Sequence, residues 1–181
     1  MKQNKMSTRP RADAAKRVAT DAALLAAALM ISRIESLLPM FLPIPGFKPG
    51  LANIAVTLAV CLRGKRDGFA VMTLRTLISS LLFGSFTSFA FSFAGGTLSF
   101  LVTAALARRA LRRDAKISLV GVSILAAAAH GIGQVLAACI VFGGVSPLGT
   151  LWWMLLMAVP TGALTGYISR IITERLGIRN K

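Results

Sequence analysis

Six apolar runs separated by short basic clusters restrict this chain to few folds. The runs extend from Val18 to Leu42, Gly50 to Leu62, Gly68 to Phe83, Phe86 to Ala107, Ile117 to Phe142 and Leu148 to Ile172. A helix needs about 20 apolar residues to cross a bilayer. The pattern predicts an all-α integral membrane protein, a six-transmembrane-helix bundle over residues 18–176. A basic tail, residues 1–17, precedes the bundle, and a short tail, residues 177–181, follows it. The chain is 55% hydrophobic, where a soluble domain has about 45–50%. The second and third runs are short for a straight span. They need bilayer thinning, burial among neighbours, or half-helical entry from a loop.

Charge orients the bundle. The net charge of +15 comes from basic residues in the gaps between apolar runs, not from one contiguous basic face, which argues against nucleic acid. With the N-terminus inside, the tail, the loop at 63–68, the loop from Arg108 to Lys116 and the C-terminus are cytoplasmic. They hold eighteen of the 21 Lys and Arg residues. Cytoplasmic loops of membrane proteins carry this excess, so both ends are expected inside a bacterial cell membrane. The first apolar run is too long for a signal-peptide core and is followed by further spans, so cleavage is not expected. Cys61 and Cys139 lie in apolar runs without metal-ligand spacing, and no metal or cofactor is expected.

The join between the first two runs, RIESLLPMFLPIPGFKPGLAN from Arg33 to Asn53, breaks this regularity. Charge inside a membrane is costly and tends to be functional. Backbone broken by Pro and Gly survives at membrane depth only if protein buries it or it lines a wet cavity. At about 1.5 Å per helical residue, Arg33 stands roughly 24 Å from the inner boundary, His130 roughly 21 Å, Gln134 roughly 27 Å and Arg75 roughly 13 Å. Arg33, Glu35, Asn53, His130 and Gln134 are therefore candidates to line one outward cavity. Lys48 would sit on its lid, with Arg75 nearer the middle. Three cations against one acid favour a small anionic ligand. Arg33 and Glu35, two apart, point to different sides of a helix and have the alternatives of snorkelling to the interface or pairing with Arg75 or His130. His130 and Gln134, four apart, share a face, where bonding a neighbouring helix is the alternative. The Ser/Thr/Phe run from Ser79 to Ser92 reads better as lipid packing than as a site. Trp152, Trp153 and Tyr167 read as interfacial anchors.

Small residues recur every fourth position in the first run. One row holds Ala22 and Ala26, the other Ala23 and Ala27. Such rows let helix backbones approach closely in lipid, either within the bundle or against a second membrane protein.

Three motifs in order, P-G-x-K-x-G-L-A-N, S-F-x-G-G and A-H-x-x-G-Q, resemble the membrane family labelled Gx transporter or heptaprenyl diphosphate synthase component I. That family is similar to the substrate-binding S components of energy-coupling factor transporters. The resemblance implies six helices, ligand capture at the outer side, and a lid from Pro45 to Leu51 that includes Pro45, Gly46, Pro49 and Gly50. It also implies docking to a T component through the Ala22/Ala26 and Ala23/Ala27 rows, with partner ATPases. The component I label implies instead an accessory subunit of heptaprenyl diphosphate or quinone synthesis, with a component II. A third implied role is as membrane partner of flavin-binding electron-transfer proteins. Catalysis by this chain alone meets a chemical objection. Chain elongation needs clustered carboxylates to hold Mg²⁺ on a diphosphate. Asp13, Asp21, Glu35, Asp67, Asp114 and Glu174 include no neighbouring pair. A Walker A motif is absent as well, so ATP-driven movement would need other subunits.

Overall fold

The computed structural model describes residues 8–37, 50–112 and 114–178, the side chains of 8–12 and of Ser36 excepted. Among them are six α-helices: α1 (Thr8–Leu37), α2 (Asn53–Leu62), α3 (Lys65–Phe83), α4 (Phe86–Ala110), α5 (Leu119–Phe142) and α6 (Leu151–Arg175). A 3-10 turn, Ser146–Thr150, leads into α6. The described residues hold no strand.

The helix ends follow local chemistry. The first helix begins at Thr8 rather than at Val18, so the described part of the expected tail is helical. The stretch ADAAKRVATDAALLAAAL is rich in Ala, Leu, Lys and Arg, which are strong helix formers. Its basic residues need not stop the helix, because only the apolar pattern ends there. Asp67 sits in the first turn of α3, where a negative charge complements the helix dipole. Arg17 donates to both Asp67 oxygens at 2.9 and 2.6 Å, tying α1 to α3. The hydrogen bonds from Arg17 hold the Asp67 carboxyl below its ordinary pKa. Arg63 and Asp21 stand 3.9 Å apart beside this pair. At the same end, Arg108 Nε donates to Val60 O at 3.2 Å and covers the open carbonyl end of α2. Gly84 and Ser85 separate α3 from α4, and the Ser85 hydroxyl caps α4 by accepting from Ser88 N at 3.2 Å. Ser118 caps α5 in the same way, accepting from Gly121 N at 3.1 Å.

Close approach of α4, α5 and α6 depends on missing side chains. A Cβ on Gly133 of α5 would lie 2.6 Å from Ala94 O, and one on Gly162 of α6 would lie 2.5 Å from Ile124 Cα. In lipid, where water does not drive helices together, such backbone contact is a main source of association.

Two apolar clusters form the core. One holds Val56, Val60, Val71, Met72, Phe100 and Val122; the other holds Phe91, Val135, Ala138 and Met154. Leu101, Leu125, Leu136, Ile140, Trp152, Val159 and Tyr167 are exposed. So much outward apolar surface is expected against lipid, not water. The α4 and α5 helices, and the segment Ser146–Arg175, are long and apolar enough to cross a membrane.

Candidate functional site

Along α4 and α5 the two apolar clusters leave a gap, and polar side chains fill it. Ser99 lies between Phe91 and Phe100, and His130 between Val122 and Val135. The layer is organised by the start of α2. Gly50 precedes it with φ +79, a conformation L side chains avoid, and its carbonyl accepts from Asn53 N at 3.0 Å. This turn points Asn53 inward. A Cβ on Gly50 would lie 3.1 Å from Asn53 Nδ2 and 3.3 Å from the His130 ring.

From Asn53 the contacts run to three other helices. Arg75 Nη2 donates to Asn53 Oδ1 at 3.4 Å, and Arg75 Nη1 to Ser32 Oγ of α1 at 3.5 Å. Asn53 Nδ2 donates to Ser99 Oγ at 3.1 Å and lies 3.4 Å from His130 Nδ1. Gln134 Nε2 lies 2.9 Å from His130 Nε2. Arg75, Ser32, Ser99, His130 and Gln134 are all buried. The orientation of the Asn53 amide follows from Arg75. It can only donate, so Asn53 presents oxygen to it and N–H to His130 Nδ1. The orientation of the Asn53 amide is thus set by the arginine.

Glu35 enters the layer in another role. Its carboxylate accepts from Leu51 N at 2.5 Å and Ala52 N at 3.5 Å. Helix α2 has no side-chain cap of its own, so Glu35 of α1 supplies acceptors to the turn that leads into it. Its charge also acts on Arg75.

The structure thus brings together Glu35, Asn53, Arg75, His130 and Gln134, with Gly50 of the expected lid against them. Arg33 does not join them: it is exposed, with its guanidinium 4.8 Å from the centre of the Phe83 ring. Two positions from buried Glu35, it faces the other way, as helical geometry requires. Lys48, Pro45, Gly46 and Pro49 lie outside the described residues. Arg75 meets Asn53 at the same level, because an arginine side chain reaches several ångströms beyond its own backbone. Ser79, Ser80 and Ser92 are buried, while Phe83, Phe86 and Phe93 are exposed. The serine/phenylalanine run therefore has a polar inner face as well as a lipid-facing one. Ala22, Ala23 and Ala26 are exposed and Ala27 is half-buried, so much of the small-residue face is left open by the bundle. Ser32 and Ser99 were not legible in the sequence. A single serine in an apolar run carries no signal until its neighbour across the helix interface is known.

Beside the layer is a cavity of about 10 Å³, lined by Gly50, Asn53, Thr57, Ser99, Ser123 and Thr165 among others. That is room for about one water. Small-molecule pockets usually measure about 300–1,000 Å³. Among the described residues this cavity offers water-sized space beside the layer. Replacing Gly50 by Ala should cost about 1–3 kcal/mol, since it forces a left-handed backbone and crowds Asn53 and His130. Thermal unfolding in detergent, compared with Gly144→Ala in open space, reads this effect.

Fold and layer together define a class: among the described residues, an all-helical protein with helices long and apolar enough to cross a membrane and a buried polar centre that ties five of its helices. The family model for heptaprenyl diphosphate synthase component I matches residues 24–172, and the chain belongs to that family. No curated relative and no solved structure matches it. All three sequence motifs contribute to the layer. Gly50 and Asn53 come from the first. Gly95 of the second leaves space for His130, where a Cβ would be 2.8 Å from His130 O. His130 and Gln134 come from the third.

Proposed function

We propose that this chain is the non-catalytic membrane component of a prenyl diphosphate synthase system and depends on a second component for the chemistry. In this reading it spans the membrane with six helices and has both ends in the cytoplasm. Membership of the component I family carries the proposal. The chemistry of the acidic residues agrees with it. Asp67 is held by Arg17, Asp21 stands near Arg63, Glu174 accepts from Arg170, and Glu35 accepts backbone N–H groups. No group of three metal-ligating side chains occurs among the described residues. Magnesium on a diphosphate would be held by the partner's carboxylates. Co-expression with a catalytic component II tests this. The pair is expected to co-purify from membranes and to form heptaprenyl diphosphate from allylic and isopentenyl diphosphates. This chain alone should form none. A component II whose rate and product length ignore this chain, and which fails to co-purify, sinks the proposal.

A second reading is favoured by one observation, the buried arginine in a motif-built polar layer whose Gly50 follows the 38–49 segment in the chain. A mid-bundle arginine is costly and tends to serve a ligand or ion path. Here the chain would act like an S component, capturing a small anionic ligand from the outer side beneath that segment. The open face with Ala22, Ala23 and Ala26 would meet a T component driven by ATPases. Purified protein screened against vitamins, flavins, quinones and prenyl diphosphates separates the two. Tight binding of a water-soluble vitamin supports capture; binding of prenyl diphosphates alone supports the synthase role.

A further inference from the structure

The hydrogen bonds that build the polar layer join α1, α2, α3, α4 and α5, and α6 takes part in none of them. The cavity of about 10 Å³ touches both the layer and α6. Its polar lining comes from four helices: Asn53 and Thr57 of α2, Ser99 of α4, Ser123 of α5, and Thr161 and Thr165 of α6. Ser123 is 5% exposed, and its Oγ has no hydrogen-bond partner among the described residues. A Cβ on Gly166 would lie 3.1 Å from that oxygen, which therefore stands against α6. A hydroxyl buried without a partner is costly. The bonding capacity of the lining is directional. Thr161 and Thr165 donate to Met157 O at 2.7 Å and Gly162 O at 3.0 Å, so their oxygens keep lone pairs to accept with. Ser99 accepts from Asn53 Nδ2, so its own proton remains to be donated. Ser123 can do either. A cation would find no carboxylate in this lining and would share Asn53 Oδ1 with Arg75.

We infer that this cavity binds one water molecule, which accepts from Ser99 and Ser123, donates to Thr161 and Thr165, and so ties α6 to the polar layer. A buried water needs about 10–15 Å³ of such space and two to four polar partners, and the cavity supplies both. The molecule gives Ser123 its missing partner. It also adds a polar link between α5 and α6, whose backbones already meet at Gly162. A shift of Asn53 or Ser99 would then be felt at α6.

A crystal structure of the full wild-type chain, at a resolution that shows ordered water, tests this without relying on any variant. One density peak should lie about 2.5–3.0 Å from at least three of the Ser99, Ser123, Thr161 and Thr165 hydroxyl oxygens. A dry cavity overturns the inference. Thermal unfolding in detergent tests the link itself. Thr165→Val keeps the shape and removes an acceptor, and should lower the melting midpoint by about 2–4 °C. Thr97→Val loses the same kind of bond to its own helix at an exposed position, and should lower it less. Ser99→Ala combined with Thr165→Val should lower the midpoint by less than the two single shifts added, because either change alone already breaks the bridge. Strictly additive shifts overturn the link. Exchanging choline for sodium at constant ionic strength should leave the wild-type midpoint unchanged. A rise in sodium that Thr165→Val abolishes would assign the cavity to a cation and overturn the water.

Discussion

Arg75→Met should lower the stability of the bundle by about 1–3 kcal/mol, the usual cost of leaving buried polar groups without a donor. The loss comes less from Arg75's own bonds, which are long, than from what it leaves behind. Glu35 is 2% exposed, accepts from Leu51 N and Ala52 N, and would lose the field of the Arg75 charge. The Asn53 oxygen would lose the Arg75 donor that orients its amide. The double variant Glu35→Gln/Arg75→Met should therefore be more stable than Arg75→Met alone. Thermal unfolding of wild type, both single variants and the double variant in one detergent measures the coupling. Additive effects, with no recovery in the double variant, would show that the two charges do not depend on each other.

Gly133→Ala should be at least as damaging, although it adds one methyl group. The new Cβ would meet Ala94 O at 2.6 Å, Ala94 C at 2.8 Å and Gly95 Cα at 2.8 Å. All three are backbone, so no side chain can rotate away and α4 must move off α5. Overpacking of a tight interior costs about 1–3 kcal/mol and more when backbone must shift. The separation would also carry His130 and Gln134 away from Asn53, so ligand or partner binding should fall with stability. Gly144→Ala, with nothing within 4 Å, is the matched control and should change stability by no more than about 0.5 kcal/mol. Equal melting temperatures for the two variants would refute the backbone-contact account of the α4–α5 interface.

Parts of this were legible beforehand, for physical reasons. Apolar runs mark helices because burial or lipid must cover them, and the break at Gly84-Ser85 falls where α3 ends and α4 begins. His130 and Gln134 share a face because they are four apart on one helix, a relation that needs no tertiary knowledge. The start of α1 at Thr8, ahead of the apolar run, was not legible because good helix formers extend a helix without apolar periodicity. Glu35 was legible as a functional-looking charge but not as the acceptor for the turn entering α2, since its partners are backbone groups that any sequence supplies.

By itself, then, the sequence determined a helical membrane-type chain and singled out Asn53, Arg75, His130 and Gln134. Apolar length and isolated polar groups are written along the chain, and each carries a large transfer cost. Only the tertiary structure decided that Arg33 faces outward while Glu35 faces in, and that Ser32 and Ser99 complete the layer. Those choices depend on which helix faces come together. That pairing is set by close backbone contacts at Gly95, Gly133 and Gly162, which no local pattern specifies.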